Sequence, residues 1–152
     1  MKLYCLSFNS QIRYAGWQQF LDNFIRLNES RVPITLIRPS VKSSVVLEKL
    51  SFIVSTLFLW DYSAKYLFPN SYKVNRVAVY FMILRGIKGK NIVLRVCANE
   101  WKQIQNISRL RSFLLRNVNF ISLNEEVTSV LIRNYVIHYI PNPYVFDIKL
   151  RK

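Results

Sequence analysis

Few residues in this chain carry catalytic chemistry, and their spacing excludes most schemes. The one histidine, His138, lies in the apolar run 136–140, a setting more typical of a core or sheet-edge residue than of a base. Cys5 and Cys97 also sit in apolar runs. Two thiols and one distant histidine make neither a disulfide framework nor a zinc site, and a reducing cytosol is the simpler setting. The paired-histidine metalloprotease motif, C-x-x-C, G-x-S-x-G and the phosphate-binding P-loop are all absent. Among eight acidic residues, Glu125 and Glu126 are adjacent, so on a helix they point apart, and first-turn placement accounts for both. Glu100 stands by itself among the eight basic residues of 85–116. It is the candidate acid/base or acceptor-contacting group, with a surface ion pair as the plainer alternative.

A second kind of chemistry is anion binding. Gly16 stands between the first strand and the helix opened by Trp17, where a glycine lets a phosphate approach backbone N–H groups and the positive end of the helix dipole. Arg13 adds charge to the same loop, while relief of a tight turn explains Gly16 equally well. Farther on, Lys102, Arg109 and Arg116 recur every seven residues, which on one continuous helix places them on one face. That face is either a solvated surface or a seat for phosphates or lipid headgroups.

The elements that position these residues follow from two alternating hydrophobic periods. Short apolar runs at 3–8, 33–37, 66–68, 92–96, 118–123 and 136–140 read as strands. Between them, helical spacing marks 17–27 (Trp17, Phe20, Leu21, Phe24, Leu27), 45–60, 74–84, 104–116 (inner stripe Ile107, Leu110, Leu114) and a short helix capped by Asn124. Strict alternation implies an α/β fold: a Rossmann-like three-layer sandwich whose mostly parallel sheet has about six strands. Weak alternation within the strands fits a sheet covered on both faces.

In such a sheet ligands bind beyond the carboxyl ends of the strands. The expected cleft opens at the ends of the first, fourth and fifth strands, lined by Asn9, Arg13, Gly16, Asn99, Glu100, Asn124 and Glu125. Asn and Ser also terminate strands and cap helices, so each position has a purely structural alternative.

Composition narrows the partners. The 152 residues make one domain's worth of chain, 51% hydrophobic and 20% charged, which excludes a disordered or low-complexity tract. Lysine plus arginine number 22 against 8 acids, a net charge of +14 spread along the chain, which favours polyanionic partners. The most hydrophobic stretch, 50–60, is eleven residues long and falls short of the ~20 needed to cross a bilayer. It reads as a buried or interfacial helix, and no secretory signal opens the chain.

The run 91–101, Asn-Ile-Val-Leu-Arg-Val-Cys-Ala-Asn-Glu-Trp, is followed by a basic helix, then Phe-Ile-Ser-Leu-Asn-Glu-Glu, then His-Tyr-Ile-Pro-Asn-Pro-Tyr. This succession resembles the end of the N-terminal, acceptor-side domain of GT-B-fold glycosyltransferases of the family-4-like kind. Residues 1–27 resemble the same family's first strand, glycine loop and helix, with Ala15–Gly16 where the family has paired glycines and Cys97–Ala98 where many members have a histidine. The resemblance implies residues 1–143 as the Rossmann-like domain and 144–152 as a tail at the interdomain linker. It implies transfer of a sugar from a nucleotide-sugar donor to a lipid-linked or polysaccharide acceptor, with no cofactor and no protein-bound metal. Glu100 would be the catalytic candidate, and the other cleft residues would bind substrate. The donor site and its E-x7-E carboxylates belong to a second Rossmann-like domain, so the chain alone is expected to be inactive. It further implies a cytoplasmic protein associated peripherally with the anionic inner face of the membrane.

Two readings compete: a basic nucleic-acid-binding α/β domain, and a membrane-surface adaptor without catalysis. Nucleic acid is the weaker, because most Phe and Tyr fall on inward periodic positions and no nucleic-acid motif occurs. The tail 144–150 has five apolar residues in seven and is expected to dock on this domain or on a partner.

Overall fold

The computed structural model describes residues 2–7, 21, 24–28, 30–37, 45–59, 61–69, 72–97 and 99–140, with the side chains of 45, 48, 49 and 74 excepted. Asn9, Arg13, Gly16 and the tail 144–152 lie outside the described residues, and so do the expectations placed on them.

Six strands form one all-parallel sheet: β1 (Leu3–Leu6), β2 (Ile34–Ile37), β3 (Lys65–Phe68), β4 (Ile92–Val96), β5 (Asn119–Ser122) and β6 (Val136–Tyr139). Their order is β2-β1-β3-β4-β5-β6. The helices are α1 (described over 24–28), α2 (Val45–Leu57), α3 (Tyr72–Leu84), α4 (Trp101–Gln105), α5 (Arg109–Leu115) and α6 (Glu125–Leu131). The expected Rossmann-like three-layer sandwich is therefore the fold, and the 92–96 run forms a strand with both predicted ends.

The period of two in each strand divides the apolar residues between two cores. Tyr66, Phe68, Ile92, Leu94, Val96 and Phe120 face α2–α6, whose Phe52, Val79, Met82, Ile104, Leu115, Val127 and Leu131 complete the larger core. Cys5, Leu67 and Ile121 face the other way, with Leu21, Phe24 and Ile25 of the first helical segment, in a smaller one. Within that segment Leu27, expected on the inner stripe, is exposed, and Ile25 packs inward instead.

Local chemistry ends the elements where the sheet needs them to end. Gly86, at φ 95°, follows α3 in the left-handed region, donating to Ile83 O at 2.9 Å while Ile87 N donates to Met82 O at 3.0 Å. This paired closure suits glycine, and the flanking Met82 and Ile87 are both buried. Arg85 Nη1 donates to the carbonyl of Leu57, satisfying one of the orphan acceptors at the end of α2. Asn124 caps α6 as expected, its Oδ1 accepting from Val127 N at 3.1 Å.

The expected helix over 104–116 is two helices. Ser108 is extended at ψ 153°, which breaks the path between α4 and α5. The break resets the helical phase, so Ile104 and Leu115 point inward while Leu110 is 70% exposed. Lys102 therefore belongs to α4 and Arg109 opens α5, with Arg116 at its C-terminal cap, and the seven-residue spacing does not trace one helix face.

Candidate functional site

Because every strand is parallel, all carboxyl ends meet at one edge of the sheet. Strand order reverses direction at β1, with β2 on one side and β3 on the other, so the topological switch point lies between β1 and β3. The carboxyl ends of β1, β4 and β5, where the cleft was expected, share this edge, with β3 lying between β1 and β4. Continuing the pairing registers across this edge aligns Ser7, Pro69, Arg95, Ile121 and His138 in one row on the α1 side. Ser7 is fully buried, and its Oγ has no hydrogen-bond partner among the described residues. Arg95 Nη1 donates to the carbonyl of Pro69 at 3.4 Å.

Glu100 organises the middle of the edge. It is 4% exposed, and its carboxylate gathers three backbone amides from two loops. Oε1 accepts from Lys73 N at 3.0 Å, while Oε2 accepts from Tyr72 N at 3.1 Å and from Cys97 N at 3.0 Å. Tyr72 and Lys73 are the first two residues of α3, so the carboxylate supplies acceptors that the helix itself lacks and complements its dipole. The anion position at the start of α3 is thus filled by the protein's own carboxylate, not left open for a phosphate. Glu100 is an anchor between the β3–α3 and β4–α4 turns. Beside it, burial raises the Cys97 thiol pKa; Arg95 opposes that shift and Glu100 adds to it.

The other predicted residues separate by role. Asn99 is exposed next to Glu100. Asn124 is one strand away, but its side chain is committed to the α6 cap, and Ser122 Oγ accepts from Asn124 N at 3.1 Å in the same turn. Glu125 is exposed in the first turn of α6. Lys102, Arg109 and Arg116 are all exposed. The sequence reading passed over Ser7 and Arg95, although a lone arginine inside an otherwise apolar strand is itself a signal that something polar must meet it. Among the described residues no group of three or more His, Cys, Asp or Glu is placed to hold a metal.

The outward side of the α2–α6 layer is the second unusual surface. Val46, Leu50 and Val54 on α2 and Phe58 just past its end repeat every four residues and are all exposed, Phe58 at 72%, with Leu47 beside them. Exposed Val77, Phe81 and Leu84 extend the apolar surface on α3, which packs on α2. Exposed Lys73, Arg76, Lys102, Arg109, Arg111 and Arg116 lie on α3 and at α4 and α5. No described helix is long and apolar enough to cross a membrane.

Comparison of the chain with protein-family models, with curated proteins and with solved structures finds no match.

Proposed function

We propose that this domain works against an anionic membrane surface, with the outer side of its α2–α6 layer on the lipid, as the acceptor-side half of a nucleotide-sugar-dependent transferase. The observation that carries the membrane part is the exposed stripe Val46, Leu50, Val54 and Phe58 along α2 and just past its end, flanked by the α3 patch and the basic residues of α3–α5. An apolar patch of this kind marks an interaction site. Apolar side chains entering the headgroup boundary gain about 1.5–3 kcal/mol each when fully buried, and each nearby Lys or Arg adds about 1 kcal/mol on an anionic leaflet. A protein partner would use the apolar stripe, but it leaves the +14 charge without a role.

The transferase part rests on the resemblance of 91–144 to GT-B acceptor domains, and the parallel sheet is compatible with it. Under this reading Glu100 is a positioning residue that holds the two loops at the cleft, and Asn99 is the exposed neighbour available to an acceptor. The donor would be bound by a second Rossmann-like domain.

The test is co-sedimentation with phosphatidylcholine vesicles, with and without phosphatidylglycerol. Binding is expected only with the anionic lipid, falling as salt rises and lost in the double variant Leu50→Ser, Phe58→Ser. No sedimentation at low salt overturns the membrane part. Sugar transfer by this chain without a donor-binding domain overturns the half-enzyme part.

A further inference from the structure

A groove of about 520 Å³ lies between the end of α4, helix α5 and the turn entering β6, lined by Gln105, Ser112, Phe113, Arg116, Asn134 and Tyr135. Its size falls within the range of small-ligand sites. Arg116 follows α5 on the way into β5, and Asn134 and Tyr135 immediately precede β6, so the groove sits at the amino edge of the sheet. The cleft at the carboxyl edge is on the opposite side of the domain.

The chemistry of the walls is specific. The Arg116 guanidinium makes no ion pair or hydrogen bond among the described residues, and neither do the side-chain amides of Gln105 and Asn134. A guanidinium presents a planar fork of donors suited to two phosphate oxygens. Each amide offers donors and an acceptor, the pairing a hydroxyl group needs. Ser112 Oγ and Tyr135 OH, 3.0 Å apart, form a fixed polar floor, and Tyr135 OH also reaches the Ile104 carbonyl at 3.5 Å. The rim is apolar instead: Leu110 and Phe113, three residues apart on α5, are each 70% exposed.

We propose that this groove binds a phosphate ester of a polyhydroxylated group, with Arg116 on the phosphate and Gln105 and Asn134 on the hydroxyls. The inference deepens the membrane reading and rests on it for the source of the ligand. At a bilayer the ligand is a phospholipid headgroup, with Leu110 and Phe113 entering the lipid around it. In solution the same chemistry is a free polyol phosphate.

The experiment uses the whole chain and two probes: glycerol 3-phosphate followed by NMR titration, and phosphatidylcholine vesicles containing phosphatidylglycerol. Three variants are compared: Arg116→Gln, Asn134→Ala, and Arg111→Gln, which removes an equal charge from an exposed position outside the groove. Arg116→Gln is expected to weaken both probes about tenfold, the scale of one charge-assisted hydrogen bond. Asn134→Ala weakens glycerol 3-phosphate by a smaller factor, and Arg111→Gln leaves it unchanged. Equal effects of Arg116→Gln and Arg111→Gln on both probes overturn the groove while leaving membrane docking standing. Binding of glycerol 3-phosphate through Arg116 without vesicle binding upholds the groove and overturns the membrane reading.

Discussion

The carboxylate of Glu100 accepts the backbone N–H of Lys73 at 3.0 Å, across 27 residues of chain. A side chain after β4 thereby caps the helix that precedes β4, tying the exit of one strand to the exit of its neighbour. Three backbone amides depend on one carboxylate, so its removal leaves all three without that acceptor. Glu100→Ala is expected to lower stability by about 1–3 kcal/mol, the penalty of polar groups left without their partner. Glu100→Gln keeps one acceptor oxygen and should lose less. Urea denaturation of both variants checks the order, and an Ala variant as stable as the parent would remove the anchor role.

The two described glycines in the β3–β4 region test different physics. Gly86 has φ 95°, and a Cβ there would meet Tyr62 Cε1 at an ordinary 3.6 Å, so the obstacle to a side chain is conformational. Gly86→Ala should cost about 1 kcal/mol and Gly86→Asn less, because Asn tolerates the left-handed region. At Gly89 a Cβ would lie 3.0 Å from the backbone carbon of Asn117 and 3.1 Å from its Cβ, a tight approach that requires residue 117 to shift by a few tenths of an ångström. Asn should therefore have no advantage over Ala at 89. Thermal melts of the four variants separate the two cases, and rescue by Asn at 89 would contradict the steric account.

How much of this was readable in advance differs by scale. Strand positions such as 92–96 were legible because a short, mostly aliphatic and β-branched run after Lys90–Asn91 favours a strand. The division between α4 and α5 was not: Ile107, Leu110 and Leu114 keep helical spacing, while the break comes from the backbone of Ser108, which periodicity does not register. The exposed side of α2 was equally hidden. Val46, Leu50 and Val54 are as apolar as the buried Phe52, and only the placement of α3 and the sheet decides which of them is covered. Glu100 was legible as an unusual acid but not as an anchor, since its partners at 72 and 73 are distant in sequence.

Cys5 gives a pH prediction. Burial raises its thiol from the ordinary 9.0 to about 12, so the folded protein holds this proton more tightly than the unfolded chain. The contribution to stability is complete below pH 9 and is lost as pH rises from 9 toward 12. Burial raises the Tyr66 hydroxyl to about 12 as well, in the same direction. The stability difference between the parent and Cys5→Ala should therefore narrow through that window, as measured by denaturation at successive pH values. At pH 8 Cys5 should resist thiol reagents until the protein is unfolded. Rapid labelling of the folded protein would contradict the burial.

The Asn124 cap predicts a graded series. Its Oδ1 is the acceptor for Val127 N, and its carbonyl receives both Thr128 N and Thr128 Oγ1. Only the first of these is lost with the side chain. Asn124→Ala should cost about 1 kcal/mol, and Asn124→Asp should restore most of it. Guanidinium denaturation provides the measurement, with failure of Asp to rescue pointing to a role for the amide beyond capping.

Helix α2 carries the sharpest contrast, because Phe52 within it and Phe58 just past its end have opposite surroundings. Phe52 is 2% exposed and meets Phe68 edge-on at 6.4 Å between ring centres. Phe52→Ala should cost about 3–5 kcal/mol, the transfer free energy of the ring plus the cavity left behind. Phe58 is exposed, so Phe58→Ser should change stability by no more than about 0.5 kcal/mol. If the stripe exists for folding, removing Phe58 lowers the melting temperature. If it exists for docking, the melting temperature stays put, while self-association in buffer and binding to anionic vesicles both decline. Measuring both quantities on the same variant separates the two uses of an apolar face, because a core residue cannot lose its side chain without loss of stability and a docking residue can.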